Sequence, residues 1–211
     1  MKTIIFLFAL LFSTSTFATD NKYIEQMSKH IEAVYNAETP EQYQEAVNAF
    51  ERIASAEKTK WEPYYYSAFG WVMLANKEKE SVKKDGYLDK ALSAIESGKK
   101  INGNESELVA LEGFVHMIRV TVDPATRGQQ YSGMAFQLFG KAVGMNPENP
   151  RALAFMAQMQ MGTARFLGSS TSEACETAKK SLEKFSAFKS ENLLAPRWGK
   201  GMTEGLLKQC Q

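Results

Sequence analysis

The sequence predicts an all-α protein built from consecutive helix pairs, on three observations. The stretch from Ala135 to Pro147, A-F-Q-L-F-G-K-A-V-G-M-N-P, sets Ala135, Phe139 and Ala142 at i, i+4 and i+7, which is one face of a helix. Small residues there let a neighbouring helix come close, and the phenylalanine between them fills the gap. Second, the spacing recurs at Ala46, Phe50 and Ile53, at Ala91, Ile95 and Gly98, and more weakly at Ala174, Ala178 and Ser181. Third, prolines punctuate the pattern. Pro147 lacks a donor and must follow a helix end, whereas Thr39-Pro40, Glu62-Pro63 and Asn149-Pro150 place proline where a helix begins.

Taken in order, Ile24, Met27, Ser28 and Ile31 form the apolar stripe of a first helix from about Tyr23 to Asn36. Thr39 supplies an N-cap for the second, which carries Ala46, Phe50 and Ile53. A second pair starts at Trp61, with Tyr64, Ser67, Ala68 and Trp71 on its first helix and Ala91 to Gly98 on its partner. Between them Lys77 to Gly86, K-E-K-E-S-V-K-K-D-G, reads as a solvated loop or helix extension. A third pair uses Val109, Glu112, Gly113 and His116, then Ala135 to Ala142, separated by the turn-rich Val122 to Tyr131. The fourth opens at Asn149-Pro150 with Leu153, Met156, Ala157 and Gln160, and resumes after the Gly168 to Ser172 loop. A last helix, about 196–210, covers the final apolar face. The expected units are 22–57, 61–102, 106–147 and 150–187.

Composition restricts the possible partners. With 25 Lys and Arg against 24 Asp and Glu, nothing draws the chain toward nucleic acid or an anionic membrane. Lys2, the apolar run Ile4 to Phe12 and Thr16-Phe17-Ala18 have the layout of a signal peptide over 1–18, too short to span a bilayer. A mature, exported chain from Thr19, periplasmic or secreted, is the expectation, and no later stretch is long and apolar enough to be transmembrane. Of 211 residues only Cys175 and Cys210 are cysteines, near the start of one expected helix and the end of the next. In an antiparallel hairpin those ends are neighbours, so a disulfide is expected in an oxidising compartment, with two free thiols as the alternative.

The small and aromatic residues at these offsets, with Gly103 closing the second unit and Pro147 the third, resemble the tetratricopeptide repeat (TPR) family. The resemblance covers nearly all of the mature chain and implies a short right-handed solenoid with a C-terminal capping helix. The inserts break the strict 34-residue period, and an irregular helical bundle is the competing architecture. In such arrays the first helix of each unit lines a concave surface. Carried over by position, this surface takes Glu62, Tyr65, Phe69 and Val72 from unit two, Glu107, Ala110, Phe114 and Met117 from unit three, and Arg151, Ala154, Gln158 and Met161 from unit four. The peptide-binding groove would then be Tyr65, Phe69, Val72, Phe114, Met117, Gln158 and Met161, apolar and aromatic with a charged edge. Met adapts to varied partners. The opposing reading makes Tyr65, Phe69, Phe114 and Met117 core, covered by the inserted loops or by 186–198.

Signals for chemistry are thin. His30 and His116 are the only histidines, which excludes a multi-histidine metal site. Glu112 and His116 share a helix face without an evident third ligand. Nucleophile-elbow, metalloprotease and phosphate-loop motifs are missing, and Gly168 to Ser172 reads as loop and cap before it reads as an anion site. The expected function is an interaction scaffold holding an apolar protein segment in the cell envelope, with no catalysis and no cofactor. The alternatives are an envelope small-ligand binder or enzyme using the loops around Asp123, Arg127 and Ser169 to Ser172, or a structural subunit of an envelope complex.

Overall fold

A computed structural model describes residues 13–210, with side chains from Asp20 onward. The expected signal segment lies for the most part outside the described residues. Helices α1 (Ser13–Tyr35), α2 (Pro40–Ala56), α3 (Glu62–Lys77), α4 (Ser81–Ile101), α5 (Ser106–Val122), α6 (Pro124–Met145), α7 (Pro150–Leu167), α8 (Ser172–Ala187) and α9 (Lys200–Leu207) follow one another, and a 3-10 turn (Lys208–Cys210) ends the described chain. Each packs chiefly on its neighbours in sequence, and α1, α3, α5 and α7 also touch one another side by side. This is an all-helical repeat solenoid with a TPR-like plan: the odd-numbered helices form the inner layer and α2, α4, α6 and α8 the outer layer.

The boundary signals act as the local chemistry requires. Thr39 Oγ1 accepts a hydrogen bond from the Gln42 amide at 3.3 Å and the Thr39 N–H donates to Gln42 Oε1 at 3.1 Å, a complete capping box. Asn149 accepts from the Arg151 and Ala152 amides while its side-chain amide donates to Ser106 Oγ at 2.9 Å, joining the starts of α5 and α7. Helix α6 ends at Met145, just ahead of Pro147.

Both expected inserts are helix. Helix α4 begins at Ser81, so most of Lys77 to Gly86 is its first turn and only 78–80 links it to α3. The turn read over Val122 to Tyr131 is confined to Asp123. There the aspartate caps α6 by accepting from the Thr126 amide at 3.2 Å, and Pro124 occupies the first helical position, where its missing N–H is harmless. The two extensions hold each other through Arg127 Nη1, which donates to Asp85 at 2.7 Å, and Arg119 on α5 pairs with Asp89 on α4 nearby. The inserted residues therefore lengthen the outer layer without interrupting it.

The core follows the small–aromatic–small rule. Ala135, Phe139 and Ala142 are fully buried, and a Cβ on Gly113 would stand 2.5 Å from the Phe139 ring, so α5 and α6 approach through that glycine. One continuous core runs from Tyr23 on α1 to Phe155 on α7. A second, smaller cluster of Ala157, Met161, Ala174, Ala178 and Leu206 surrounds Cys175 and Cys210. Those cysteines are bonded, with Cα atoms 5.8 Å apart. Small residues on α8 offer little apolar area, and the disulfide fastens α9 where burial alone is weakest.

Candidate functional site

The inner layer carries the residues of interest. Helices α3 and α5 are apolar on nearly every side: Tyr65, Tyr66, Phe69 and Val72 on one, and Leu108, Ala110, Phe114 and Val115 on the other are buried. A helix without a polar face must be covered all round. The outer-layer partner and the adjacent units supply part of that cover. The rest comes from the connection between α8 and α9, residues 188–199, which lies as an irregular strap across the inner face.

Trp198 is the centre of that cover. Its ring centroid lies 4.6 Å from Phe69, 5.6 Å from Phe155 and 6.0 Å from Phe114, while Phe114 and Phe155 stack in parallel at 4.4 Å. The indole N–H donates to Tyr65 Oη at 3.0 Å. Nearby, Tyr66 Oη donates to the Leu194 carbonyl at 2.8 Å, and the Arg197 amide donates to Tyr35 Oη at 3.2 Å. Burial raises the pKa of all three phenols, so they remain protonated at ordinary pH.

Beneath the strap sits a buried ion pair. Arg151, 1 % exposed, donates through Nη2 and Nε to the two oxygens of Glu107 at 2.6 and 2.7 Å. Its Nη1 donates to the Trp198 carbonyl at 3.1 Å, and its guanidinium carbon lies over the rings of Phe188 and Phe185, 5.2 and 5.8 Å from their centroids. Burial opposes the charge, and the Glu107 carboxylate more than reverses that, so the Arg151 pKa is raised. Glu62, further along the same edge, accepts from Tyr23 Oη at 3.3 Å and from Asn192 Nδ2 at 3.1 Å.

The expected groove residues are thus placed as follows. Tyr65, Phe69 and Phe114 come together against Trp198, and Val72 is buried in the same core. Met117 is partly buried and Gln158 is exposed. Met161 stands apart, in the small cluster beside α8 and α9. The charged edge expected from Glu107 and Arg151 is an internal pair. The segment 186–198, the alternative cover expected from the sequence, is what lies over this face, through Trp198, and the inserted loops do not. Sequence reasoning did not single out Phe155 or Tyr66 as partners of this face. The signal available was the unbroken apolarity of α3 and α5, which requires cover from elsewhere in the chain.

The other candidates are engaged locally. Glu112 pairs with Lys99 at 2.7 Å, and His116 stacks on Tyr131 at 5.7 Å. Asp123 caps α6, Arg127 pairs with Asp85, and Ser170 and Ser172 hydrogen-bond to each other at 2.8 Å. Among the described residues no group of three or more His, Cys, Asp or Glu side chains could hold a metal, and no helix is long and apolar enough to cross a membrane.

Comparison with solved structures places this architecture. The chain is similar to the HusA haemophore from Porphyromonas gingivalis, with 28% identity over 90% of this chain and 92% of that one and a TM-score of 0.80. A thermophilic TPR protein from Thermus thermophilus shares the fold at 15% identity, covering 92% of this chain and 95% of that one, with a TM-score of 0.58. No protein-family profile and no curated protein sequence matches the chain. The fold is TPR-like, and the two neighbours are a haemophore and a TPR protein.

Proposed function

We propose that this protein is an exported, non-catalytic carrier of a flat, apolar, acid-bearing ligand of the porphyrin class, with haem as the cargo. The observation that carries this reading is the likeness to a haemophore over nine-tenths of both chains. The aromatic inner face supports it, because the parallel Phe114 and Phe155 rings and the Phe69 ring are suited to a planar ring system. Neither histidine belongs to that face: His30 packs on Phe50 and His116 on Tyr131. Stacking would therefore hold the cargo, without iron ligation by histidine, and metal-free protoporphyrin should bind as haemin does. The signal segment over 1–18 and the disulfide support export to the periplasm or beyond.

The test is a titration of the mature protein with haemin and with metal-free protoporphyrin, read as the Soret shift and as porphyrin fluorescence. Saturable binding of both near equal stoichiometry is expected. Spectra identical to free porphyrin across the micromolar range would overturn the reading.

A second reading, an apolar-peptide scaffold using Tyr65, Phe69, Val72, Phe114, Met117, Gln158 and Met161, is favoured by one observation. The inner face already holds an irregular, turn-containing segment, the chain's own 188–199, through hydrogen bonds to main-chain groups. A labelled peptide copying that segment should then bind in trans and raise its anisotropy. No rise would leave the porphyrin reading alone.

A further inference from the structure

We infer that the strap 188–199 is an intramolecular occupant of the ligand site, and that a porphyrin binds by displacing Trp198 from the face formed by Phe69, Phe114 and Phe155. This rests on the ligand class proposed above and identifies where that ligand sits and what it must move. On this view the indole does in the free protein what a planar aromatic acid does in the complex. It packs on the three phenylalanine rings, tilted by 40° to 46°, donates one hydrogen bond to Tyr65, and carries beside it a carbonyl that takes the outward N–H of Arg151. When the strap leaves, Arg151 keeps both bonds to Glu107 and its Nη1 is freed for a ligand carboxylate.

Four features of the strap suit exchange. It is the longest connection between described helices, in a fold whose other links are short turns, and long irregular links in compact domains tend to be binding loops or lids. Its polar anchors are single bonds: Tyr66 and Arg151 donate to its carbonyls, and its own Asn192 amide, Trp198 indole and Arg197 backbone N–H donate to Glu62, Tyr65 and Tyr35, each of which can be traded one at a time for water or ligand. It seats unevenly: a solvent-open pocket of about 280 Å³ remains between Leu193 and Leu194 and the α1 residues Tyr23 and Ile24, and Leu193 is 62% exposed although Leu194 is buried. Finally, both ends are held independently of the strap. Helix α8 packs on α7, the Cys175–Cys210 bond ties the end of α9 back to α8, and Gly199 joins strap to α9 at φ +104°, a backbone conformation that L side chains rarely adopt. The strap can therefore lift between two fixed points while the solenoid stays folded.

A protein whose open form is a minor species binds with an apparent affinity reduced by that fraction. Trp198→Ala removes the competitor and should tighten haemin binding by about tenfold or more. In the wild-type protein, haemin should speed hydrogen exchange of the amides in 193–198 while slowing that of α3 and α5. This second measurement stands even where the variant fails to fold. Weaker or unchanged binding by Trp198→Ala, or strap amides that exchange equally fast or slower with haemin bound, would overturn the displacement and leave the carrier function intact. Failure of both wild type and variant to bind either porphyrin would overturn the carrier function and this inference with it.

Discussion

At the scale of single residues, the Arg151–Glu107 pair is the feature a groove reading misjudges. A guanidinium and a carboxylate at a groove edge would be worth little in water, but here both are buried and each depends on the other. Arg151→Met strands the Glu107 carboxylate and should cost about 3–5 kcal/mol in urea unfolding. Adding Glu107→Leu should recover most of it, because a buried ion pair is often replaceable by apolar packing. A double variant no more stable than the single one would refute this account.

His116 sets an acid limit at the same scale. Burial lowers its pKa, with Glu112 opposing and Arg119 reinforcing the shift, and its Nδ1 is buried without a hydrogen-bond partner. The unfolded chain, with a histidine pKa of about 6.5, therefore takes up the proton first as pH falls. Stability is full above that value and declines as pH drops toward the lower folded pKa. His116→Phe keeps the ring stack on Tyr131 and should lessen the loss of melting temperature between neutral pH and about pH 5, by the same linkage. His30, whose pKa burial also lowers, would supply the slope that remains.

Among the elements, α8 and α9 depend most on covalent help. The face α8 buries is Ala174, Ala178 and Ser181, which removes far less apolar area from water than the phenylalanine-centred faces of α2 and α6. The disulfide spans a sequence separation of 35 residues. Closing such a loop contributes about 3–4 kcal/mol on the chain-entropy account. Replacing both cysteines by serine should lower the unfolding free energy by up to that amount. Because the second core cluster is separate from the first, hydrogen exchange should locate the loss in α9 and the strap. A uniform loss along the solenoid would contradict this.

For the whole molecule, the solenoid supplies a rigid inner wall and the C-terminal segment closes it. A repeat array exposes the inner faces of its first helices unless a ligand or another part of the chain covers them. In this protein the cover is cis and polar-anchored, and it crosses from the end of the chain back to α1 and α3. Tyr66 with Leu194 and Tyr65 with Trp198 are contacts across more than half the chain. On the proposed carrier function, such a wrap would make carrier and cover parts of one equilibrium, with the contacts that stabilise the free protein opposing the cargo.

Local chemistry alone determined the helical class, the caps at Thr39 and Asn149, the stop ahead of Pro147 and the small–aromatic–small interfaces, and made the cysteine pairing an expectation. Each of these depends on residues a few positions apart, or on helix ends that a hairpin must bring together. Other boundaries differ: α1 starts at Ser13 rather than near Tyr23, and the last helix at Lys200 rather than near 196. The glycine-bearing stretch at Val122 to Tyr131 misled because polar, turn-prone residues are tolerated on an exposed helix face once neighbouring elements hold it, whereas at Lys77 to Gly86 the helix-extension reading holds. The state of the inner face was a different kind of question. Tyr65, Phe69 and Phe114 carry the same residue types whether they line an open groove or sit beneath Trp198. What separates the two is a segment far away in the chain, held by an indole, a guanidinium and three phenols that no spacing rule connects. That choice belonged to the tertiary structure, because it turns on which surface 188–199 can bury best.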